Sequence, residues 1–262
     1  MSKTLTIILN TALYFAIYII IQSTVSISLQ LIYKDPITND ANALVLSSVA
    51  TSIMIIVLFT WRRWCPVSRE YLNTRPWAVL TWTMLAAIGC TVISSLLIDV
   101  LGLNMPKTYT NMFIKIMNHE LGYFALGIIG PVAEEIVFRG AILYSLLKLF
   151  DKRMHWLPII ISALLFGIAH GNMAQMVNAT LTGLLLGWMY YHTGSIVPGV
   201  VFHWMNNTIA YVLFKLMPGT ADMTFTELCG NDSRRIVMYV FFSLCVLIPS
   251  LFQLYVRIKK KY

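Results

Sequence analysis

Apolar residues run along this chain in blocks of about 20, broken by short polar or aromatic clusters, the pattern of helices that cross a lipid bilayer. The blocks lie near 5–32, 42–61, 77–101, 120–149, 156–171, 173–192, 195–216 and 236–257. They predict an all-α, polytopic transmembrane helix bundle of about eight spans, folded as one membrane domain over 1–262. The fifth block is short and turns tightly into the sixth around Gly171 and Asn172. The fourth is long and carries charges in its middle. Two segments, Asn104 to Asn118 and Met217 to Arg235, read as exposed connections. The second holds the loop formers Pro218, Gly219, Gly230 and Asn231. The run after Lys3 is twice the length of a signal-peptide core and lacks an A-x-A site, so it reads as a retained span. No internal repeat or low-complexity segment interrupts the pattern.

Composition agrees with this reading. Hydrophobic types make up 58% of the 262 residues and charged types only 11%, against about 25% charged in a soluble domain. Disorder and an ordinary soluble enzyme are thereby excluded. The net charge of +8 resembles that of a nucleic-acid binder, but its distribution speaks for topology, and no nucleic-acid partner is expected. With eight spans, one side holds Lys3, Arg62, Arg63, Arg69, Arg75, Lys148, Lys152, Arg153, Arg257, Lys259, Lys260 and Lys261. The other holds Lys34, Lys107, Lys115, Lys215, Arg234 and Arg235. The two-to-one bias predicts both termini in the cytoplasm, and an integral protein of the bacterial cytoplasmic (inner) membrane. Cys65, Cys90, Cys229 and Cys245 form no CxxC pair and read as free thiols.

Charge inside the apolar blocks needs an explanation. The fourth span reads Gly-Ile-Ile-Gly-Pro-Val-Ala-Glu-Glu-Ile-Val-Phe-Arg-Gly over Gly127 to Gly140. Each charge at a helix centre costs roughly 2.5–3.5 kcal/mol on insertion scales. Glu135 and Arg139 stand one helical turn apart in the favourable acid-first order and can pair. A packing ion pair accounts for those two. Glu134 points about 100° away and has no local partner. A carboxyl without a partner in an apolar site is the kind that proteins use as a general base near neutral pH. Just before it, Pro131 removes a donor and frees carbonyls, which a membrane tolerates only beside protein or a wet cavity.

Two further spans carry imidazoles. Phe166 and His170 share a face of the fifth, and His203 and Asn207 share a face of the seventh. At 1.5 Å per residue, Glu134 lies roughly 21 Å from the Lys148 end of its span, and Arg139 roughly 13 Å. His170 lies roughly 22 Å from His155; His203 and Asn207 lie roughly 13 and 20 Å from Gly194. All fall in one slab of the membrane. A carboxylate and two imidazoles around a wet cavity can activate water for attack on a carbonyl, with other donors holding the oxyanion. They can also bind zinc, with Glu134, His170 and His203 as candidate ligands. No His-Glu-x-x-His pair, nucleophile elbow, P-loop or dinucleotide fingerprint is present.

Glu134-Glu135-x-x-x-Arg139, Phe166-x-x-x-His170 and His203-x-x-x-Asn207, in that order, resemble the three-motif signature of the CAAX protease and bacteriocin-processing (Abi) family. The resemblance covers about 120–212 and implies an intramembrane endopeptidase acting on membrane-inserted or lipid-attached peptides. By that analogy Glu134 is the general base and His170 positions the water. Glu135 and Arg139 support them, and His203 and Asn207 stabilise the oxyanion. The resemblance leaves a zinc metalloprotease and a metal-independent glutamate protease both open, the second being favoured. Membrane lipids and a membrane-associated peptide or protein substrate are the partners it implies.

Two competing readings are a catalytically silent scaffold or immunity factor and, with less support, a proton-coupled transporter. Among weaker features, Gly183-x-x-x-Gly187 reads as a close helix contact inside the bundle. Trp61, Trp64, Trp77, Trp188, Tyr190 and Tyr191 read as interfacial aromatics, and Asn178 and Thr180 as polar packing.

Overall fold

The structure, a computed structural model, describes residues 2–34, 36–66, 69–217 and 219–258. Pro218, Lys259, Lys260 and Lys261, which entered the loop and charge readings above, lie outside the described residues.

All eight predicted blocks are helical. They form α1 (Lys3–Tyr33), α2 (Ala41–Trp61), α3 (Trp77–Val100), α5 (Tyr123–Leu146), α6 (Trp156–Ile168), α7 (Met173–Thr193), α8 (Val197–Leu216) and α9 (Ser233–Arg257). An additional helix, α4 (Lys107–Asn118), occupies the first connection and meets α5 at a bend of 100°. The second connection contains one short turn, Phe225–Leu228.

Local chemistry explains the boundaries. Asp40 accepts from the Asn42 and Ala43 amides at 2.6 and 3.0 Å, Asn172 accepts from Gln175, and Asp232 from Arg234. Lys34 and Gly194 end α1 and α7 in the left-handed conformation, and Gly171, at φ +72°, makes the turn from α6 to α7. Among the described residues, four helices (α1, α2, α3 and α9) are long and apolar enough to cross a membrane. A fifth, α5, passes only when joined to α4. At 13 residues, α6 is short of a full span, and α7 and α8 are diluted by polar side chains such as Asn178, Asn206 and Asn207. Of these, Asn207 bonds α5, and Asn178 and Asn206 line a cavity, as shown below. The chain is an all-α integral membrane bundle.

Packing places α5 at the centre. It touches α1, α2, α6 and α8, and its segment Ile136–Leu143 is buried throughout. Gly140 lies against Cys65, where a Cβ would come 2.1 Å from the sulfur. Gly183 and Gly187 bring α7 onto α6, against Ala163 and Ile159, so this small-residue pattern is a contact inside the bundle, as expected. A second layer is built by α3, α8 and α9, with Gly89 seated on the backbone of Leu247. The aromatic belt is smaller than expected. Trp61 and Trp77 are exposed, but Tyr190 and Tyr191 are buried, and Tyr191 stacks on His155 at 4.5 Å. All four cysteines are free.

Candidate active site

Helix α5 is not uniformly wound. It follows a π-helix over Tyr123–Ile129 and again over Ile136–Leu143, with a single α-helical stretch, Gly130–Glu135, between them. Glu134 and Glu135 therefore sit at the junction between two windings, a feature often found at functional sites. The Gly130 amide bonds five residues back, to the Ala125 carbonyl. The next bond in that register would need an N–H on Pro131, which has none, so the Leu126 carbonyl is left over. Asn207 takes it, with Nδ2 2.8 Å from the oxygen. The same winding is held from α8 by Tyr123. Its hydroxyl receives the Trp204 indole N–H at 2.9 Å and lies 3.0 Å from the Thr208 hydroxyl.

Glu135 and Arg139 pair as the spacing predicted. Nη1 of Arg139 donates to Oε1 of Glu135 at 2.7 Å, and both side chains are almost wholly buried, at 1% and 0% exposure. The guanidinium also lies over the Phe166 ring, 4.3 Å from its centroid. A Cβ on Gly199 would come 2.3 Å from Oε2 of Glu135, so only glycine lets α8 close on this carboxylate. Among the described residues, Oε2 of Glu135, Nε of Arg139 and Nδ1 of His203 have no hydrogen-bond partner.

Glu134 faces α8, not the ion pair. Its Oε2 lies 3.6 Å from Nε2 of His203, and its side chain is 24% exposed where Glu135 is closed off. The other ring nitrogen of His203 lies 3.9 Å from Oε1 of Glu135. His170 Nδ1 lies 2.9 Å from the Phe166 carbonyl. A carbonyl oxygen only accepts, so Nδ1 carries the proton, and in a neutral ring Nε2 is left as the acceptor. Phe166 joins the parts: its ring meets His170 edge-on at 4.9 Å and His203 at 5.8 Å.

The structure thus brings Glu134, Glu135, Arg139, His170 and His203 into one cluster around Phe166, with Asn207 tied to α5 one turn beyond His203. From outside the motif region, α1 adds the buried Tyr18, whose ring meets Phe138 edge-on at 5.2 Å. Sequence reasoning gave Tyr18, Tyr123, Trp204 and Gly199 no role. Only the Pro131 break, flagged as freeing carbonyls, pointed towards the Asn207 contact. Among the described residues, no three His, Cys, Asp or Glu side chains converge to hold a metal ion. Glu134, His170 and His203 as arranged do not make a three-ligand zinc site.

A large cavity of about 1330 Å³ lies beside this cluster, at the end of the bundle where α4 crosses. Asn206 and Asn178 line it, whereas Glu134, His170 and His203 do not. Asn178, expected to be packing, is part of this wall. Thr180 does pack, against Gly167.

Residues 118–209 match the family model of type II CAAX prenyl endopeptidase Rce1-like proteins. A curated Bacillus subtilis (strain 168) protein named "Putative membrane peptidase YdiL" is 30% identical over 86 residues, a stretch that is 33% of this chain and 34% of that protein. The similarity therefore spans about a third of either chain. No solved structure matches. The matched segment begins at the end of α4 and closes just after Asn207, enclosing every side chain of the cluster except Tyr18. Over residues 118–209, about a third of its length, the chain is similar to the type II CAAX prenyl endopeptidase Rce1-like family and to a membrane peptidase.

Proposed function

We propose that the chain is a membrane-embedded endopeptidase that hydrolyses peptide bonds of membrane-inserted or lipid-attached substrates with a glutamate-activated water. One observation carries the reading. Of two adjacent carboxylates, Glu135 is closed off and balanced by Arg139, while Glu134 is partly open and faces His203 at 3.6 Å. One carboxylate thus keeps the site together and the other is free to move a proton.

In this mechanism Glu134 takes a proton from a water held against Nε2 of His170. The water oxygen attacks the scissile carbonyl carbon. The oxyanion is stabilised by a ring N–H of His203, with the amide of Asn207 steadying that helix. Glu134 then returns the proton to the departing amine as the C–N bond breaks, leaving a carboxylic acid and an amine. No step is routed through a metal.

The test is cleavage of membrane-inserted and lipidated reporter peptides by the purified full-length protein in detergent. Glu134→Gln and His170→Ala are expected to abolish cleavage, and a chelator to leave it unchanged. Chelator inhibition reversed by zinc would overturn the metal-independent mechanism. Activity that survives Glu134→Gln would overturn the general-base assignment. Absence of cleavage by wild type, with Glu134→Gln still supporting the cellular phenotype, would establish a scaffold instead.

A further inference from the structure

The cavity beside the cluster has a chemistry of its own. Its walls come from α3, α4, α7, α8 and the connection before α9. Six carboxamides line it: Asn104, Asn111, Asn118, Gln175, Asn178 and Asn206. Its ionised groups are two acids and two bases, and two of them are already engaged. Asp99 accepts from the backbone amide and the hydroxyl of Thr226, and Lys215 reaches Oδ1 of Asn118. The wall is therefore close to neutral, its carboxamides set among apolar side chains such as Leu103, Ile114, Phe214 and Met223. It suits neither a phosphate nor a strongly charged peptide.

A carboxamide presents one acceptor and two donors, the complement of a peptide group. A helical substrate has nothing to offer such a wall, because its own N–H and C=O groups are paired internally. An unwound strand has both free. The cavity also reaches the cluster through side-chain hydrogen bonds. Gln175 Oε1 accepts from Asn172 at 2.6 Å, and Asn172 donates to the His170 carbonyl at 3.3 Å. Asn206 Nδ2 lies 3.5 Å from Oδ1 of Asn207, which holds the Leu126 carbonyl.

We propose that this carboxamide-lined cavity binds an unwound, uncharged polar segment of the substrate and hands its backbone to Glu134. The inference rests on the protease reading and names its substrate class. What is selected is an extended stretch rich in small polar residues, not a continuous apolar helix. Asn178, which has no side-chain hydrogen bond among the described residues, is a specificity-determining group.

Binding tests this separately from cleavage. The probe is a fluorescein-labelled linear nonapeptide of Gly, Ser and Asn, titrated by anisotropy into full-length Glu134→Gln protein in detergent. A hydrocarbon-stapled helical peptide of equal length is the control. The linear peptide is expected to bind and the stapled one to bind at least about tenfold more weakly. Asn178→Leu in the same background is expected to weaken linear-peptide binding about tenfold, and Asn178→Gln to retain it. Equal binding of the two peptides, or unchanged binding by Asn178→Leu, overturns the proposal. Linear-peptide binding that Asn178→Leu weakens, with no cleavage of the membrane reporters by the wild type, would keep the cavity as a site for an unwound peptide and sink the protease reading together with the hand-over to Glu134. Cleavage with KM unmoved by Asn178→Leu would do the reverse.

Discussion

Replacing Asn207 with Ala asks whether a gap in one helix is filled from its neighbour. The change removes the donor 2.8 Å from the Leu126 carbonyl. Gly130 bonds to Ala125 in a five-residue register, so Leu126 is the acceptor that a residue other than proline at position 131 would use. With both donors missing, a carbonyl inside the bundle is unmatched, a loss of about 1–3 kcal/mol. Pro131→Ala restores an N–H next to that oxygen. In the Pro131→Ala background, Asn207→Ala should therefore cost about 1 kcal/mol less than in the wild type, the coupling typical of groups that share a partner. The assay is SDS-driven unfolding in mixed micelles, followed by tryptophan fluorescence, on the wild type, both single variants and the double. An equal cost of Asn207→Ala in the two backgrounds refutes the reasoning. So does a cost below about 0.5 kcal/mol in the wild type, which would leave Asn207 free of structural duty.

Other expectations follow from the same geometry. Gly199→Ala places a methyl 2.3 Å from Oε2 of Glu135 and should destabilise by about 1–3 kcal/mol, read in the same unfolding assay; an unchanged midpoint would show that α8 can shift away. Arg139→Leu leaves the Glu135 charge alone and buried, at a cost of about 3–5 kcal/mol, whereas Glu135→Leu with Arg139→Leu should cost less than either single change. Burial, with the nearby Glu135 second, pushes the Cys65 thiol up to about 12 from its ordinary 9.0. The folded thiol then keeps its proton where the unfolded one loses it, so Cys65 contributes stability that is present below pH 9 and is lost as pH climbs towards 12. At pH 8 it should resist iodoacetamide until SDS unfolds the chain, and labelling of the native protein, read by mass spectrometry, would contradict this.

Several elements were legible because their cause is local. The boundaries of α1, α2, α3 and α9 follow from apolar blocks that must be about a membrane thick, and from caps such as Asp40 and Asp232. The Glu135–Arg139 pair follows from helical periodicity alone. The connection at Asn104 to Asn118 reads as an exposed segment because its mixed polarity hides a helix, α4, whose apolar side is matched by α2 and the start of α5. The buried Tyr190 and Tyr191 read as interfacial in sequence because an aromatic at a span end looks the same whether lipid or, as for Tyr191, His155 lies beside it.

The amino-acid order by itself determined that this chain is a membrane helix bundle, and that Glu134, Glu135, Arg139, His170, His203 and Asn207 are the polar residues its apolar spans have to accommodate. It did so because helical spacing and the cost of burying charge act within one segment. Which carboxylate is closed off, which imidazole faces the other, and where the Asn207 amide goes were decided only in the folded bundle. Those outcomes depend on α5 changing its winding at Pro131 and on α8 closing against it at Gly199. Contacts between helices more than sixty residues apart have no signature in a local pattern, and there the tertiary structure alone turns a list of polar residues into a site.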